Sequence, residues 1–274
     1  MSNAHLGLGQ EPWGDRGYQV WLIGGTQESR EIAHLLLEYG LSCVVTVTTA
    51  AARHLYPVHP QLHIVVTTLR QEEAKPFLQC HRIQVIIDAS HPFAVAISQL
   101  AISLSQELSL PYLRFERPSA PSAIGASIQL ATIDELIQGD YLNQQRVLLT
   151  LGYRFLAHFT SWHDRSTLFA RILPSIPALT AALAAGFSPN RLVALRPPIS
   201  EDLERALWQQ WRISLVVTKA SGAPGGEQIK QNIAAQLGVQ LITINRPEIA
   251  YPLQTRDRQG VIQFIKTLGW KPVS

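Results

Sequence analysis

The stretch Val20-Trp21-Leu22-Ile23-Gly24-Gly25-Thr26-Gln27-Glu28-Ser29-Arg30 decides the fold. Its first four residues are apolar, as in a strand buried on both faces of a parallel sheet. The two glycines permit a tight turn and the close approach of a ligand or another backbone, and Thr26 is a suitable helix N-cap. Beyond it, apolar residues recur at helical spacing from Ile32 to Tyr39.

A strand that turns through glycines into a helix directs several N–H groups at one point. Such a point favours an anion, most often a phosphate. An ordinary strand-to-helix turn explains this stretch equally well, because the full Gly-x-Gly-x-x-Gly fingerprint is missing. The two interpretations therefore stay open on this stretch alone.

The composition is that of a globular chain with a substantial core. The chain has 274 residues, 46% hydrophobic and 16% charged, which fits two medium domains or one large domain. No apolar run is long enough to span a membrane, and the N-terminus lacks the pattern of a secretory signal. The net charge of +3 comes without a long basic block, so we expect neither a membrane nor a nucleic-acid partner.

The two cysteines, Cys43 and Cys80, stand alone in the sequence. We expect both to be reduced core residues, which suits a cytoplasmic protein. Residues 1–17 are expected to form a flexible tail. No histidine pair with a nearby acid has metal-ligand spacing, so we expect no metal site.

Strand-like and helix-like segments alternate along the chain. The first series has strands at Val20–Ile23, Ser42–Val47, Leu62–Val66, Val85–Ile87 and Tyr112–Phe115, and helices that begin near Thr26, Arg53, Arg70 and Pro92. The second has strands at Ser127–Leu130, Val147–Thr150, Leu168–Ala170, Leu192–Leu195, Leu215–Thr218 and Leu241–Ile244, with helices at Ile133–Gln138, Tyr153–His158, Ile176–Ala185, Glu201–Trp211, Gly226–Leu237 and Arg258–Leu268.

This βαβ rhythm predicts an α/β protein with two copies of a doubly wound parallel sheet, flanked by helices, and a cleft between them. The pattern is interrupted at Pro118–Ser122, where we place the domain boundary. The expected domains are residues 18–120 and residues 121–274.

Basic and polar residues gather where the predicted strands end, which is where open α/β sheets bind ligands. In the first half these are Gly24 to Thr26, Thr48 and Thr49 with Arg53 nearby, Asp88 to Phe93, Arg114 and Arg117; in the second they are Gly152 to Arg154, Arg171, Arg196, Lys219 to Gly222, and Arg246. Each arginine alone is more simply explained as a surface residue. Because arginine suits carboxylate and phosphate, five or six together indicate a ligand with several negative charges.

The segment after the second strand bears on the choice of cofactor. An NAD site usually places Asp or Glu roughly 20 residues beyond the glycines. The stretch from Thr46 to Arg53 contains no acid. The hydroxyls of Thr48 and Thr49 with Arg53 would suit the additional phosphate of NADP. Arg53 is explained equally well as the start of the next helix.

Two further segments carry possible chemistry. Asp88-Ala89-Ser90-His91-Pro92-Phe93 could position a nicotinamide ring or donate a proton, although the residues alone favour a plain helix start with Asp88 and Ser90 as caps and Pro92 at the first position. The loop from Lys219 to Gly226 lacks the Gly-Lys-Ser/Thr ending of a P-loop. It could still bind an anion through Lys219 and free N–H groups.

Several segments together resemble the precorrin-6A reductases of cobalamin biosynthesis. They are Leu22 to Arg30, Ile87 to Ala94, Pro111 to Pro118, Val217 to Gly222, and Ile244 to Pro247, so the resemblance extends over both halves. Its most specific segments are Asp-Ala-Ser-His-Pro-Phe-Ala and Thr-Lys-x-Ser-Gly. The resemblance implies two Rossmann-like domains, NADPH as hydride donor, and reduction of one ring double bond in a polycarboxylate tetrapyrrole substrate.

The resemblance also implies roles for individual residues. Gly24, Gly25, Thr26, Gln27 and Glu28 would hold the pyrophosphate of NADPH, Thr48, Thr49 and Arg53 its adenosine end, and Asp88, Ser90, His91, Pro92 and Phe93 would lie near the nicotinamide. The substrate would meet Lys219, Ser221, Gly222 and Arg246, together with Arg114, Arg117, Arg154, Arg171 and Arg196. For the proton, our own hypothesis is that His91 or Lys219 supplies it if a side chain does so, and water otherwise, with Asp88 completing the catalytic group.

Two departures from the family pattern lie in the second half. Ala220 stands where the family usually has Asp, and Pro197-Pro198-Ile199-Ser200 stands where Gly-Pro-Phe-Ser is usual. Both concern substrate contact rather than the cofactor. A reductase of another polyanionic substrate and a non-catalytic nucleotide-binding module remain open, as does the presence of cobalt in the ring. We expect a monomer or a weak homodimer.

Overall fold

The computed structural model describes residues 19–118 and 127–272. The expected tail and most of the expected boundary segment, Ser119 to Ser122, lie outside these ranges. The chain divides into two compact units. Among the described residues, the first unit contains 19–116 and 249–272, and the second contains 117–118 and 127–248.

The first unit begins with alternating strands and helices. They are β1 (Val20–Ile23), α1 (Gln27–Glu38), β2 (Cys43–Val47), α2 (Ala50–Arg53), β3 (Leu62–Val66), α3 (Gln71–Cys80), β4 (Val85–Asp88), α4 (Val95–Glu107) and β5 (Tyr112–Phe115). The second unit follows the same plan. Its elements are β6 (Ser127–Leu130), α5 (Ile133–Gln138), β7 (Arg146–Leu149), a 3₁₀ helix (Tyr153–Trp162), β8 (Thr167–Ile172), α6 (Ile176–Ala184), a short 3₁₀ turn (Pro189–Arg191), β9 (Leu192–Ala194), α7 (Glu201–Gln210), β10 (Leu215–Lys219), a second 3₁₀ turn (Ala223–Gly225), α8 (Glu227–Leu237) and β11 (Gln240–Ile244).

The chain then returns to the first unit with β12 (Gln254–Thr255) and α9 (Arg258–Thr267). The first sheet has the order β12-β5-β4-β1-β2-β3 and the second the order β6-β11-β10-β7-β8-β9. All the strand pairs in both sheets are parallel. The predicted fold class, α/β with two parallel sheets flanked by helices, is confirmed.

The strands at the centre of the first sheet are apolar because helices cover both faces of the sheet. Every residue of β1 is buried, and α1 packs Ile32, Leu35 and Leu36 against it. The other face is covered by residues of α3 and α4, among them Leu78 and Leu104. None of the helices in the described part of the chain is both long enough and apolar enough to cross a membrane.

All eleven predicted strands are present, each within two residues of its expected bounds. The starts of two helices differ from expectation. The α2 helix ends at Arg53 instead of beginning there, because the Thr49 hydroxyl caps it by accepting the Ala52 N–H at 3.2 Å. The α4 helix begins at Val95 and not at Pro92, without a side-chain cap. Of the cysteines, Cys43 is buried as expected, but Cys80 is exposed at the end of α3.

The final segment differs from the expected domain of residues 121–274, because residues 249–272 lie in the first unit. Without β12, strand β5 would be an edge strand with unpaired backbone groups. The β12 strand supplies the partners: Leu253 C=O accepts the Arg114 N–H and Thr255 C=O accepts the Glu116 N–H. Helix α9 then buries Val261 and Ile265 in the core beside β1.

Helix α9 gives a first prediction. Ile265→Ala removes a fully buried side chain from the core of the first unit and is expected to lower the free energy of unfolding by about 2–5 kcal/mol. The neighbouring exposed Lys266→Ala is its control, with an expected change within about 0.5 kcal/mol. Urea denaturation measures both. Equal stability of the two variants would contradict the placement of α9.

Candidate functional site

The glycine turn after β1 is held by a tyrosine from elsewhere in the first unit. The Tyr56 hydroxyl accepts the Gly25 N–H at 2.8 Å and lies 2.6 Å from Ser29 Oγ. A Cβ at Gly24 would lie 2.2 Å from Tyr56 Oη. Glycine at position 24 is therefore required by the packing of Tyr56, which no pattern in the sequence indicated.

The protons around this turn can be assigned from the donors and acceptors. Ser29 Oγ donates its single proton to Thr26 C=O at 2.7 Å and accepts the Thr26 N–H at 3.0 Å. The proton between Tyr56 and Ser29 must then come from Tyr56. Burial is the main cause that raises the pKa of Tyr56, which keeps this proton in place.

The same turn is tied to the neighbouring strand. Thr26 Oγ1 donates to Ala89 C=O at 2.8 Å and accepts the Ser29 N–H at 3.1 Å. The Gly24 N–H is donated to Thr46 C=O at 2.9 Å. The N–H groups of Gly24, Gly25 and Thr26 thus all have protein partners in this arrangement.

An anion at this turn would rely on the start of α1. The N–H of the first helical residue, here Gln27, has no acceptor inside a helix. Gly25 is exposed with φ +95°, and apart from its own chain neighbours no atom of the described residues lies within 4 Å of the position that its Cβ would take. Gln27 is exposed and Glu28 half-buried. These features leave an open backbone cradle beside the positive end of the helix dipole.

The residues predicted to contact the adenosine end of the cofactor follow the next strand. Strand register aligns Ile23 of β1 with Thr46 of β2, so Thr48 and Thr49 follow at the same edge of the sheet as the glycines. Thr48, Thr49 and Arg53 are all exposed. The structure thus brings the predicted cofactor residues of β1 and β2 to one edge.

Asp88 and Arg114 form a buried ion pair at the end of β4. Asp88 is fully buried and accepts hydrogen bonds from Arg114 Nη1 at 2.9 Å, Ser98 Oγ at 2.6 Å and Tyr112 Oη at 2.9 Å. The Ser90 N–H also donates to Asp88, at 3.0 Å. Burial, followed by the charge of Asp88, raises the pKa of Tyr112, so that its hydroxyl remains a donor.

Arg114 is as deeply buried as its partner. Besides Asp88 it donates to Ser90 Oγ at 3.0 Å and to Glu116 at 2.9 Å, and its guanidinium lies over the Tyr251 ring at 5.2 Å. The expected roles of Asp88 as a catalytic group and of Arg114 as a substrate ligand do not fit this burial. Both instead fix the Ser90 turn, and the expected capping of α4 by Asp88 and Ser90 is wrong because their side chains are used here.

His91 is the exposed member of this turn. Its Nδ1 accepts the Phe93 N–H at 3.2 Å, and the two rings lie 5.9 Å apart. In the neutral ring the proton must then be on Nε2. Pro92 is buried and Phe93 half-buried. Within residues 88–93, His91 is thus the exposed ionisable side chain.

In the second unit, Lys219 ends β10 beside the start of the 3₁₀ helix that follows β7. Its Nζ lies 4.0 Å from the centre of the Phe155 ring. Burial, followed by the nearby charge of Arg154, lowers the pKa of Lys219 to about 8. Arg154 itself is exposed and lies over the Tyr153 ring at 5.9 Å. Phe155 is a contact that the sequence analysis missed.

The loop after β10 is held by the two arginines that flank the unit. Arg246 donates to Ala220 C=O and to Arg117 C=O, each at 2.7 Å, and Arg117 donates to Ser221 C=O at 3.4 Å. The backbone N–H groups of this loop that were expected to bind an anion donate to the protein itself. The Ser221 N–H donates to Lys219 C=O, the Gly222 N–H to the Glu227 carboxylate, the Gly225 N–H to Gly222 C=O and the Gly226 N–H to Ala223 C=O. The expected anion site of free N–H groups is therefore wrong for these amides.

The remaining predicted substrate residues lie in three different surroundings. Arg171 lies within β8 and forms an ion pair with the buried Glu204 of α7. Its guanidinium is therefore occupied by a protein carboxylate. Arg196 is exposed after β9. Ser221 and Gly222 are buried in the loop. Across the residues that the structure describes, no cluster of three or more His, Cys, Asp or Glu could hold a metal ion.

Comparisons with known proteins agree with one another. A family model described as "Precorrin-6x reductase CbiJ/CobK" matches residues 19–266. A cobalt-precorrin-6A reductase of Synechocystis sp. is 50% identical over 249 residues, which cover 89% of this chain and 95% of that protein. A precorrin-6A reductase of Mycobacterium tuberculosis is 32% identical over 84% of this chain and 89% of its own length.

A solved structure described as "CobK precorrin-6A reductase" has the same fold. Its TM-score is 0.75 at 22% sequence identity, and the alignment covers 93% of this chain and 98% of that chain. At this identity the likeness shows the fold alone. The two-sheet architecture is thus supported by an independent structure.

The buried ion pair gives the second prediction. Arg114→Met leaves the Asp88 carboxylate buried without its cation, so the free energy of unfolding is expected to fall by about 3–5 kcal/mol. The control is Arg258→Met, which breaks the exposed Arg258–Glu38 pair and should cost less than about 1 kcal/mol. Urea denaturation of both variants measures the difference. A similar loss for both would rule out the special cost of the buried pair.

Proposed function

The chain belongs to the precorrin-6x reductase family, and on that premise we propose that it reduces a double bond of a corrin precursor with NADPH in cobalamin biosynthesis. As a member of this family it is an oxidoreductase that acts on a CH–CH bond with a nicotinamide cofactor. The observation that carries the proposal is the family match, which spans residues 19–266 and hence both units. The substrate that we favour is cobalt-precorrin-6A, because the relative at 50% identity is named cobalt-precorrin-6A reductase.

The first unit fits a dinucleotide. The cradle at Gly25 is open, and the Gln27 N–H stands at the positive end of α1. Thr48, Thr49 and Arg53 are exposed at the end of the neighbouring strand. Residues 46–53 contain no Asp or Glu, whose negative charge would repel the 2′-phosphate of NADPH. These features support NADPH over NADH. When bound, NADPH supplies the hydride.

The second unit offers positive side chains to a polycarboxylate. Lys219, Arg154 and Arg196 follow or end the strands β10, β7 and β9 of one parallel sheet. The Phe155 ring beside Lys219 adds an aromatic surface suited to a flat macrocycle. We propose that this edge holds the substrate, with Ser221, Gly222, Arg117 and Arg246 shaping its loop.

A proton must also be added to the reduced double bond. His91 is an exposed residue, and its neutral ring carries the proton on Nε2, since Nδ1 accepts the Phe93 N–H. Lys219, whose pKa is lowered to about 8, can also give up a proton near neutral pH. Asp88 and Arg114 act through the turn that they fix, as positioning residues. Orientation of the two reactants supplies most of the remaining advantage.

The function is tested by NADPH oxidation with cobalt-precorrin-6A and, in parallel, with precorrin-6A. We expect loss of NADPH absorbance with at least one of them and faster loss with the cobalt form. A protein that binds NADPH but oxidises it with neither substrate would be a nucleotide-binding module, and the proposal would be rejected. Activity restricted to another polyanion would assign it to a different reductase.

The cofactor preference has its own control. NADH is compared with NADPH in the wild type and in Arg53→Ala, with Arg258→Ala, an exposed arginine outside the predicted cofactor residues, as the matched variant. Loss of one charge-assisted phosphate contact should raise the KM for NADPH about tenfold and leave the KM for NADH unchanged. An equal effect on both cofactors would remove Arg53 from the phosphate site.

Lys219 gives a prediction about pH. Its ammonium is charged below its pKa of about 8 and neutral above it, so the KM for the substrate should rise as the pH goes from about 7 to about 9. Lys219→Arg stays charged over this range and should flatten the rise, whereas Lys219→Met should have a high KM throughout. Lys230, with a pKa also lowered to about 8, is present in all three proteins. A rise unchanged in Lys219→Arg would therefore exclude Lys219 as its origin.

A further inference from the structure

The loop of residues 220–226, which we call the β10–α8 loop, is anchored from below by the first turn of α8. Glu227, the first residue of that helix, accepts the Gly222 N–H at 2.8 Å and is buried. Gly222 has φ +73°, a conformation that L side chains rarely adopt. The carboxylate therefore holds the loop at its most constrained residue.

Lys230, one helical turn further along α8, anchors the other end of the loop. Its Nζ donates to Gly225 C=O and, at 3.5 Å, to Gly226 C=O. Only 2% of Lys230 is exposed, which is rare for a lysine and needs compensation by such partners. Residues 227 and 230 face the same side of the helix because they are three positions apart.

The anchored loop positions Ser221. A Cβ at Gly225 would lie 1.7 Å from Ser221 Oγ, so the Ser221 side chain packs directly against the backbone of Gly225. The carbonyl of that glycine is the one that Lys230 holds. A continuous chain of contacts thus runs from Lys230 through Gly225 to Ser221, two residues after Lys219.

The charges beneath the loop balance one another. The pKa of Lys230 is lowered to about 8, first by burial and then by Arg171, while Glu204 and Glu227 oppose this change. Arg171 pairs with Glu204, whose other oxygen accepts the Trp208 indole N–H at 3.3 Å. Two cations and two carboxylates are therefore gathered in the interior of the second unit, where an isolated charge would be costly.

We propose that Glu227 and Lys230 are positioning residues for substrate binding, which act by holding the β10–α8 loop and, through it, Ser221 and Lys219. The proposal rests on the proposed function, because it assigns that loop to the substrate. Neither residue touches the substrate itself. Both residues belong to the second unit, whereas the cofactor cradle at Gly25 belongs to the first.

The test compares Glu227→Ala with Glu227→Gln. The glutamine amide oxygen can still accept the Gly222 N–H, whereas alanine removes the acceptor. We expect Glu227→Ala to raise the KM for cobalt-precorrin-6A about tenfold, and Glu227→Gln to raise it less than about threefold. The Kd for NADPH, followed by tryptophan fluorescence, should stay within about twofold in both variants, because the residues proposed to bind NADPH belong to the first unit and Glu227 belongs to the second.

A second readout needs no substrate. Hydrogen exchange of the Gly222 amide is expected to be slow in the wild type and in Glu227→Gln, and at least about tenfold faster in Glu227→Ala, since exchange reports the local opening of the bond. Exchange in β1 and α1 should be the same in all three proteins. The exchange measurement tests whether Glu227 anchors the loop even if the wild type oxidises NADPH with neither precorrin. That outcome would reject the proposed function and the role of the loop in substrate binding, but not the anchoring itself.

Lys230 is tested by Lys230→Met, with the same expected split between the substrate KM and the NADPH Kd. If that variant fails to fold, the double variant Glu227→Gln with Lys230→Met keeps the buried charges balanced and takes its place. An unchanged substrate KM in Glu227→Ala and in the folded Lys230 variant would overturn the proposal. An equal loss in Glu227→Gln and Glu227→Ala, or a parallel loss of NADPH affinity, would overturn it as well.

Discussion

The buried ion pair between Asp88 and Arg114 is the interaction on which the carboxyl edge of the first sheet depends. Register aligns Asp88 of β4 with Ile23 of β1 on one side and with Arg114 of β5 on the other. A carboxylate at this depth requires a cation and several donors, and the neighbouring strand and the Ser90 turn supply them. The turn that presents His91 is consequently fixed by its interior partners. The short β12 strand belongs to the same arrangement, because it pairs with β5 at Arg114 itself.

Both glycine-rich turns are stabilised by hydrogen bonds to side chains of the same unit. Their glycines therefore serve the packing of the turn, and the bonded N–H groups are not available to a ligand. In the first unit the Tyr56 ring occupies the space that Gly24 leaves, and its hydroxyl takes the Gly25 N–H. In the second, the carboxylate of Glu227 takes the Gly222 N–H. A rigid turn costs less entropy to order around a ligand than a loose one, so these internal bonds favour binding even though they use backbone donors. The charge that meets a ligand must then come from helix ends and side chains.

How much the sequence could predict follows from the range of each interaction. The apolar runs predicted every strand of both sheets except β12, which has two residues and too short a pattern to recognise. The Thr26 cap was predictable because its partner Ser29 is three residues away. Tyr56 meets Gly25 across 31 residues, and Arg114 meets Asp88 across 26, so no local pattern announces either contact. The return of residues 249–272 to the first unit was hidden for the same reason, since α9 shows an apolar face without indicating which core receives it.

The basic residues at the strand ends, which first indicated a polyanionic ligand, differ in burial and in whether a protein carboxylate already pairs with them. Arg114 and Arg171 are tied to buried carboxylates, and neither can turn to a ligand without leaving a charge unpaired in the interior. Arg154 and Arg196 are exposed, so a carboxylated ligand can order them at the cost of side-chain entropy alone. Lys219 is intermediate between the paired and the exposed arginines. Burial lowers its pKa to about 8, yet it is the last residue of its strand. A substrate carboxylate beside Lys219 would stabilise its charged form against this loss of solvation, and we therefore expect this lysine to gain more from substrate binding than the exposed arginines do.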